Sequence, residues 1–242
     1  MKAKTLKIKN IFLCLSLTLF VLAVIIFIIA YNSKPLEKCV TILSYDKPSV
    51  IIDAGHGGID GGAVSSGGTE EAGINLLISE KTRLVMLFLG IRSVMTRSDE
   101  GSLNYNPEKS IKENKNADLK ERLKIAEQFS DCDFLSIHLN KFEQSKYFGA
   151  QVFYSANNSK SLILAETLQN SMIDYLDKDN IRKAKISPES VYLMKNIKSP
   201  AVIIECGFLS NPAEEQKLVS DEYQTHIAIS ITKGYIDYIK ER

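Results

Sequence analysis

Hydrophobic residues are spread along this 242-residue chain in two different ways. Near the start they are continuous: residues 11–30 are twenty in a row without a charged side chain. As a helix rising about 1.5 Å per residue, such a run crosses a hydrocarbon core of about 30 Å. Lys2, Lys4, Lys7 and Lys9 precede it, and no acidic residue occurs before Glu37. The positive-inside bias therefore predicts residues 1–30 as a cytoplasmic stub and single transmembrane anchor, with the rest of the chain outside the membrane. Removal as a leader is disfavoured, because Ile28, two residues before Ala30, does not suit a small-x-small cleavage site. Residues 31–48 read as a polar linker holding Pro35 and Pro48.

From residue 49 the apolar positions break into short runs separated by helical periodicity. Residues 49–53 (SVIID), 93–96 (SVMT), 134–139 (FLSIHL), 150–154 (AQVFY) and 201–205 (AVIIE) are brief apolar segments, predicted as strands. Ile74, Leu77, Ile78, Leu84, Val85 and Phe88 recur at helical spacing after Glu71, and Gly90 ends that run. Further helices are predicted over residues 119–129, 159–176 and 212–241. The glycine-dense residues 55–68 and the polar residues 98–118 read as loops. Strands apolar on both faces, alternating with helices, predict an α/β fold: a mostly parallel twisted sheet flanked by helices, in a single domain of residues 49–242. In such sheets the ligand site lies beyond the carboxyl ends of the strands.

Charge and cysteine change this picture little. Residues 1–44 carry roughly +5 and the remainder roughly −4, so the net +1 conceals a mildly acidic domain. It has no basic patch interleaved with aromatics, which argues against nucleic acid as a partner. Cys14 lies in the apolar run and Cys39 in the linker, leaving Cys132 and Cys206 for the domain. A domain this size builds its own core, so both are predicted as buried free thiols.

The strand ends carry the chemistry. The first strand runs into Asp53-Ala54-Gly55-His56-Gly57-Gly58, the third holds His138 near its carboxyl end, and the late strand ends at Glu205. Glu70 and Glu71 stand at the entrance to the first long helix. Two histidines and carboxylates thus converge on one sheet edge. Two His and one carboxylate suit Zn²⁺ with its fourth position left open for water, and a further carboxylate could move protons. Glu205 closes an apolar strand, where a carboxylate needs a partner or a task. Asp53 is predicted to cap the turn through nearby backbone N–H groups. His226, in the last helix, is predicted to pack or to face solvent. The glycine loop lacks the Gly-Lys-Ser/Thr ending of a P-loop and the spacing of a dinucleotide fingerprint, so it is not read as a phosphate cradle.

In this order, Asp53–Gly58, Asp60-Gly61-Gly62-Ala63, a Glu at the first helix, Thr96-Arg97, Leu119 with Arg122 and Ala126, Ser136–Asn140 and Ser199–Asn211 (SPAVIIECGFLSN) resemble the zinc-dependent N-acetylmuramoyl-L-alanine amidases of the Amidase_3 family. The resemblance implies His56, Glu71 and His138 as metal ligands. It favours Glu71 over Glu70, because Asn75-Leu76 follows Glu71 at the family's spacing. It implies Glu205 as the catalytic carboxylate, taking a proton from the attacking water and passing one to the leaving α-amine of L-alanine. Peptidoglycan glycan strands with peptide stems are the implied substrate. A short chain with one N-terminal apolar segment and no wall-binding repeats looks like the spore-cortex, germination-linked members of the family. That likeness implies removal of stem peptides from cortex as a step toward muramic-δ-lactam, at the forespore envelope. Where the family has Lys-Asp after the ligand Glu, this chain has Ala72-Gly73. That departure leads to the expectation of a weakly held metal and an activating protein partner. A zinc peptidase acting on the stem and an inactive membrane-tethered wall-binding module are the rival readings.

Overall fold

The computed structural model describes residues 48–242; the expected anchor and nearly all of the expected linker lie outside the described residues. Among the described residues no helix is long and apolar enough to cross a membrane. Six strands form one sheet: β1 (Val50–Ala54), β2 (Ser93–Met95), β3 (Asp133–Asn140), β4 (Gln151–Tyr154), β5 (Lys185–Ile186) and β6 (Ala201–Phe208), in the order β2-β1-β3-β6-β4-β5. The helices are α1 (Glu71–Phe88), α2 (Ile111–Gln128), α3 (Lys160–Leu176), α4 (Tyr192–Asn196), α5 (Pro212–Leu218) and α6 (Asp221–Glu241).

Side chains alternate across each strand and both faces are covered, which explains the unbroken apolar runs. Val50, Ile52, Leu135, Ile137, Val202 and Ile204 face the larger core, built with Ile74 and Ile78 of α1, Leu164 and Leu168 of α3, and Ile231 and Tyr235 of α6. Ile51, Phe134 and Ala201 face the other way, toward Ala126 of α2 and Leu193 and Met194 of α4. Cys132 and Cys206 are buried free thiols, as expected.

The sheet is mostly parallel, as expected, but mixed, with one antiparallel pairing. β1, β2, β3 and β6 are mutually parallel, but β4 runs antiparallel to β6. The chain turns back after β3 through residues 141–150 without a crossover helix, so β4 enters in the opposite sense. Three local expectations also shift. Leu77, Leu84 and Phe88 of α1 are exposed, Phe88 by 87%; the core-facing stripe is Ile74, Ile78, Thr82 and Met86. α2 begins at Ile111, within the expected loop, on a Ser110–Glu113 capping box. The last helical stretch is two helices, the second capped by Ser220 accepting from the Tyr223 N–H.

β1 connects through α1 to β2 on one side, and the chain then returns to place β3 on the other. The strand order therefore reverses between β1 and β3, and the crevice at their carboxyl ends is where this topology puts a ligand.

Candidate metal centre

β1 ends at Ala54 and the chain turns through glycines. A Cβ at Gly55 would lie 2.3 Å from Nε2 of His138, so only glycine fits there. His56 follows with φ of 61°, a left-handed conformation costly for a non-glycine residue. The turn is fixed by Gly57 and Asp60, whose backbones exchange hydrogen bonds of 2.9 and 3.0 Å. Arg122 adds a bond from Nη2 to the His56 carbonyl at 2.6 Å. The turn returns Asp60 to the imidazole, with Oδ2 3.0 Å from Nδ1 of His56. With Nδ1 engaged there, Nε2 faces inward, 3.4 Å from Oε2 of Glu71. Burial opposes a charge on His56, yet its bonds to Asp60 and Glu71 prevail and push its pKa up to about 9.

Glu71 is the first residue of α1 and is buried. Oε1 accepts from the Leu139 N–H and from Nδ2 of Asn75, both at 3.0 Å, and Oε2 accepts from the Ala63 N–H at 2.8 Å. His138, near the end of β3, sets Nδ1 2.9 Å from Oε1 of Glu71. Burial disfavours ionisation of Glu71, but the bonds and charges of the two histidines outweigh it and hold its pKa well below the usual carboxylate range. At Ala72-Gly73, where the family has Lys-Asp, Nη2 of Arg97 donates to the Ala72 carbonyl at 2.8 Å. Glu70 is exposed and takes no part.

One nitrogen from each histidine and one carboxylate oxygen of Glu71 lie within 4.8 Å of one another. The two imidazole rings meet edge to face at 4.9 Å. Two nitrogens and an oxygen converging on one point, with the far nitrogen of His56 tied to a carboxylate, is a donor set that fits a divalent metal ion.

Glu205 is the cross-strand neighbour of His138 on β6. The register then slips, Asn140 pairing with Phe208, so β6 carries an extra residue just beyond Glu205. A bulge there re-aims the strand at the sheet edge. Oε2 of Glu205 is buried and makes no hydrogen bond, and burial pushes the pKa of the group up to about 7. The structure thus brings together all four residues singled out by sequence, and His226 is exposed on α6.

Asp53 does not cap the turn. Its carboxylate is fully buried and accepts from Nη1 of Arg122 at 2.5 Å, Oγ1 of Thr96 at 2.7 Å and Oγ of Ser136 at 2.6 Å. Its side chain points into the sheet's flank, where a buried cation is available, and not back toward the loop. Arg122 also donates to the Ala54 carbonyl at 2.7 Å and to Oδ2 of Asp118 at 2.6 Å. Sequence reasoning had given no role to Asp60, Asn75, Arg97 or Arg122. Asp60 could have been suspected from its place four residues after His56 in a tight turn.

An open α/β sheet carrying this donor set beside an unpartnered acid at its switch point is the framework of a metal-dependent hydrolase. The chain belongs to the N-acetylmuramoyl-L-alanine amidase family (Amidase_3), which residues 50–237 match. It is 35% identical over 193 residues to the germination-specific N-acetylmuramoyl-L-alanine amidase of Bacillus subtilis (strain 168), covering 80% of each chain. The N-acetylmuramoyl-L-alanine amidase AmiA of Escherichia coli (strain K12) is 27% identical over 249 residues, covering 86% of this chain and 80% of that one. The fold superposes on the CwlD amidase of Clostridioides difficile, solved in complex with the GerS lipoprotein, with a TM-score of 0.78 and 39% identity, covering 81% of this chain and 100% of that one. The chain is accordingly a peptidoglycan amidase that hydrolyses the bond between N-acetylmuramic acid and L-alanine.

Proposed function

We infer that the enzyme uses zinc held by His56, Glu71 and His138, and that Glu205 is its proton-transfer group. The observation that carries this reading is the bare, buried Oε2 of Glu205 on the strand position next to His138. A zinc ion in this donor set supplies Lewis acidity at the lactyl carbonyl and eases deprotonation of water. The Glu205 carboxylate accepts a proton from the attacking water. The same carboxyl group then returns a proton to the α-amine of L-alanine as the amide breaks. Before any metal is bound, burial pushes the pKa of this carboxyl group up to about 7, which favours a group that both takes and returns a proton. Asp60 orients the His56 ring, and Asn75 with the Ala63 and Leu139 amides orients Glu71. The expected outcome for Glu205→Gln is retained zinc and turnover reduced by roughly three powers of ten or more, a barrier increase of about 4 kcal/mol. Normal cutting of peptidoglycan by that variant would remove Glu205 from the mechanism.

The wider reading is a membrane-anchored enzyme at the forespore envelope that strips stem peptides from spore cortex toward muramic-δ-lactam. Its support is the likeness to the germination-specific relative, together with residues 11–30 of the sequence. An activating protein partner is part of this proposal, supported by the lipoprotein complex of the C. difficile relative. Digestion of spore-type peptidoglycan followed by mass spectrometry tests it: free stems beginning with L-alanine are expected. Fragments cut within the stem would favour a peptidase instead.

A further inference from the structure

An open groove of about 740 Å³ lies along β4 and β5. It starts at Asn140, two residues beyond His138, and at Gln151, the cross-strand neighbour of Glu205. Its charged lining is Lys141, Arg182 and Lys185 against the single carboxylate of Glu143. Lys141 is occupied with the Val64 carbonyl at 2.6 Å. Arg182 is held differently. Nε donates to the Phe148 carbonyl at 2.8 Å and Nη1 to Oε1 of Gln151 at 3.1 Å. The guanidinium also lies over the Phe208 ring, 4.7 Å from its centre. Among the described residues no carboxylate lies within ion-pair distance of it. These contacts use one N–H of Nη1 and none of Nη2, leaving a fixed fork of N–H donors that matches a carboxylate. His138, Glu205 and Gln151 lie side by side across β3, β6 and β4. Arg182 is thus tied to the third residue of a row whose first two belong to the reaction site.

The two sides of the scissile amide differ in charge. The sugar side is an N-acetyl sugar whose lactyl carboxyl is consumed in the amide, and it is neutral. The stem side carries acids, beginning with the α-carboxylate of the γ-linked glutamate that follows L-alanine. A cationic groove takes the stem. We propose that Arg182 is a specificity residue that receives this α-carboxylate through its free fork, so that the enzyme favours stems with an acid there over stems carrying a carboxamide. The inference rests on the amidase reading and deepens it.

The test is calorimetric titration of the full chain carrying Glu205→Gln, with zinc present, against two ligands. One is N-acetylmuramoyl-L-alanyl-γ-D-glutamyl-L-lysine, and the other is the same compound with the glutamyl α-carboxylate replaced by a carboxamide. The acid is expected to bind roughly ten- to a hundredfold more tightly, the scale of a charge-assisted hydrogen-bonded pair. Arg182→Ala is expected to erase that preference by weakening the acid alone. Arg182→Lys, which keeps the charge but not the fork and serves also if the alanine variant fails to fold, is expected to restore only part of it. Equal binding of both ligands before substitution, or a preference that survives both substitutions, would overturn the proposal. Release of stems from peptidoglycan by the unsubstituted chain reports on the amidase reading separately, so the two can fail independently.

Discussion

Replacing Glu205 by glutamine is expected to stabilise the protein above neutral pH while it stops the chemistry. The carboxyl group sits in the fold with its pKa raised from an ordinary 4.5 to about 7 by burial, and with Oε2 unbonded. Below pH 4.5 both folded and unfolded chains hold the proton, and the group costs nothing. As pH rises through the window from 4.5 to about 7, the unfolded chain releases the proton first, so stability is lost progressively; above it the loss is complete. At 1.36 kcal/mol per pKa unit, the full loss is roughly 3 kcal/mol. Glutamine keeps the shape and the unpartnered oxygen but never ionises, so the pH-independent cost of that oxygen is shared and cancels. His56 also titrates in the folded chain: its pKa, raised to about 9, favours the fold below its ordinary value of 6.5, and that benefit fades as pH rises through about 9. Apart from its charge interaction with Glu205 itself, both proteins share it. The assay is denaturant unfolding of the two proteins, stripped of metal with a chelator, at several pH values between 5 and 8. The stability gap should widen by about 2 to 3 kcal/mol toward pH 8. A gap that does not change with pH would refute the claim that burial holds this carboxylate ready to accept a proton.

Zinc is expected to raise the thermal midpoint, by the equivalent of about 2.7 kcal/mol at a hundredfold excess over Kd, and Glu71→Gln or His56→Ala should abolish that rise. Asp60→Ala removes the acceptor at Nδ1 of His56; zinc affinity measured by calorimetry should fall roughly ten- to a hundredfold with the fold intact. Arg122→Met leaves Asp53 buried without its cation and the His56 carbonyl without its donor. Unfolding should then be easier by about 3–5 kcal/mol. Zinc affinity should drop as well, because the strained His56 turn loses its tether.

The sheet's central strands were legible because burial on both faces leaves an unbroken apolar signature, and the glycine after β1 marked the turn that carries His56. The antiparallel entry of β4 was not legible, because a strand's direction depends on how the chain returns and not on its own residues. The start of α2 was written in Ser110 and Glu113, but the polar residues that follow hide it: only Asn114, Asp118, Arg122 and Ala126 of that helix are buried, and three of the four are polar. The face of α1 was misread for the opposite reason. Ile74 and Ile78 are buried as expected, but Asn75, Ser79 and Thr82 share that buried side while Leu77, Leu84 and Phe88 face outward, so apolar spacing alone selects only part of the stripe.

The same contrast separates the candidate site residues from what holds them. His56 follows the end of β1 and Glu71 opens α1, places that local sequence shows; His138 lies inside β3, and β6 runs on past Glu205 to Phe208, beyond the strand end expected at Glu205. Their supports are long-range: Arg122 reaches Asp53 across 69 positions, and Leu139 reaches Glu71 across 68. A buried arginine in an otherwise polar helix has no local meaning until the fold brings a buried aspartate and the carbonyls of Ala54 and His56 to it. Of the four site residues, His56, Glu71 and His138 lean on one another, and His56 and Glu71 are further held by Asp60, Asn75 or backbone groups. Glu205 alone has an oxygen with no partner. In the proposed mechanism, a bare carboxylate beside a well-braced donor set costs stability and supplies a proton acceptor free of competing bonds, which is the arrangement amide hydrolysis requires.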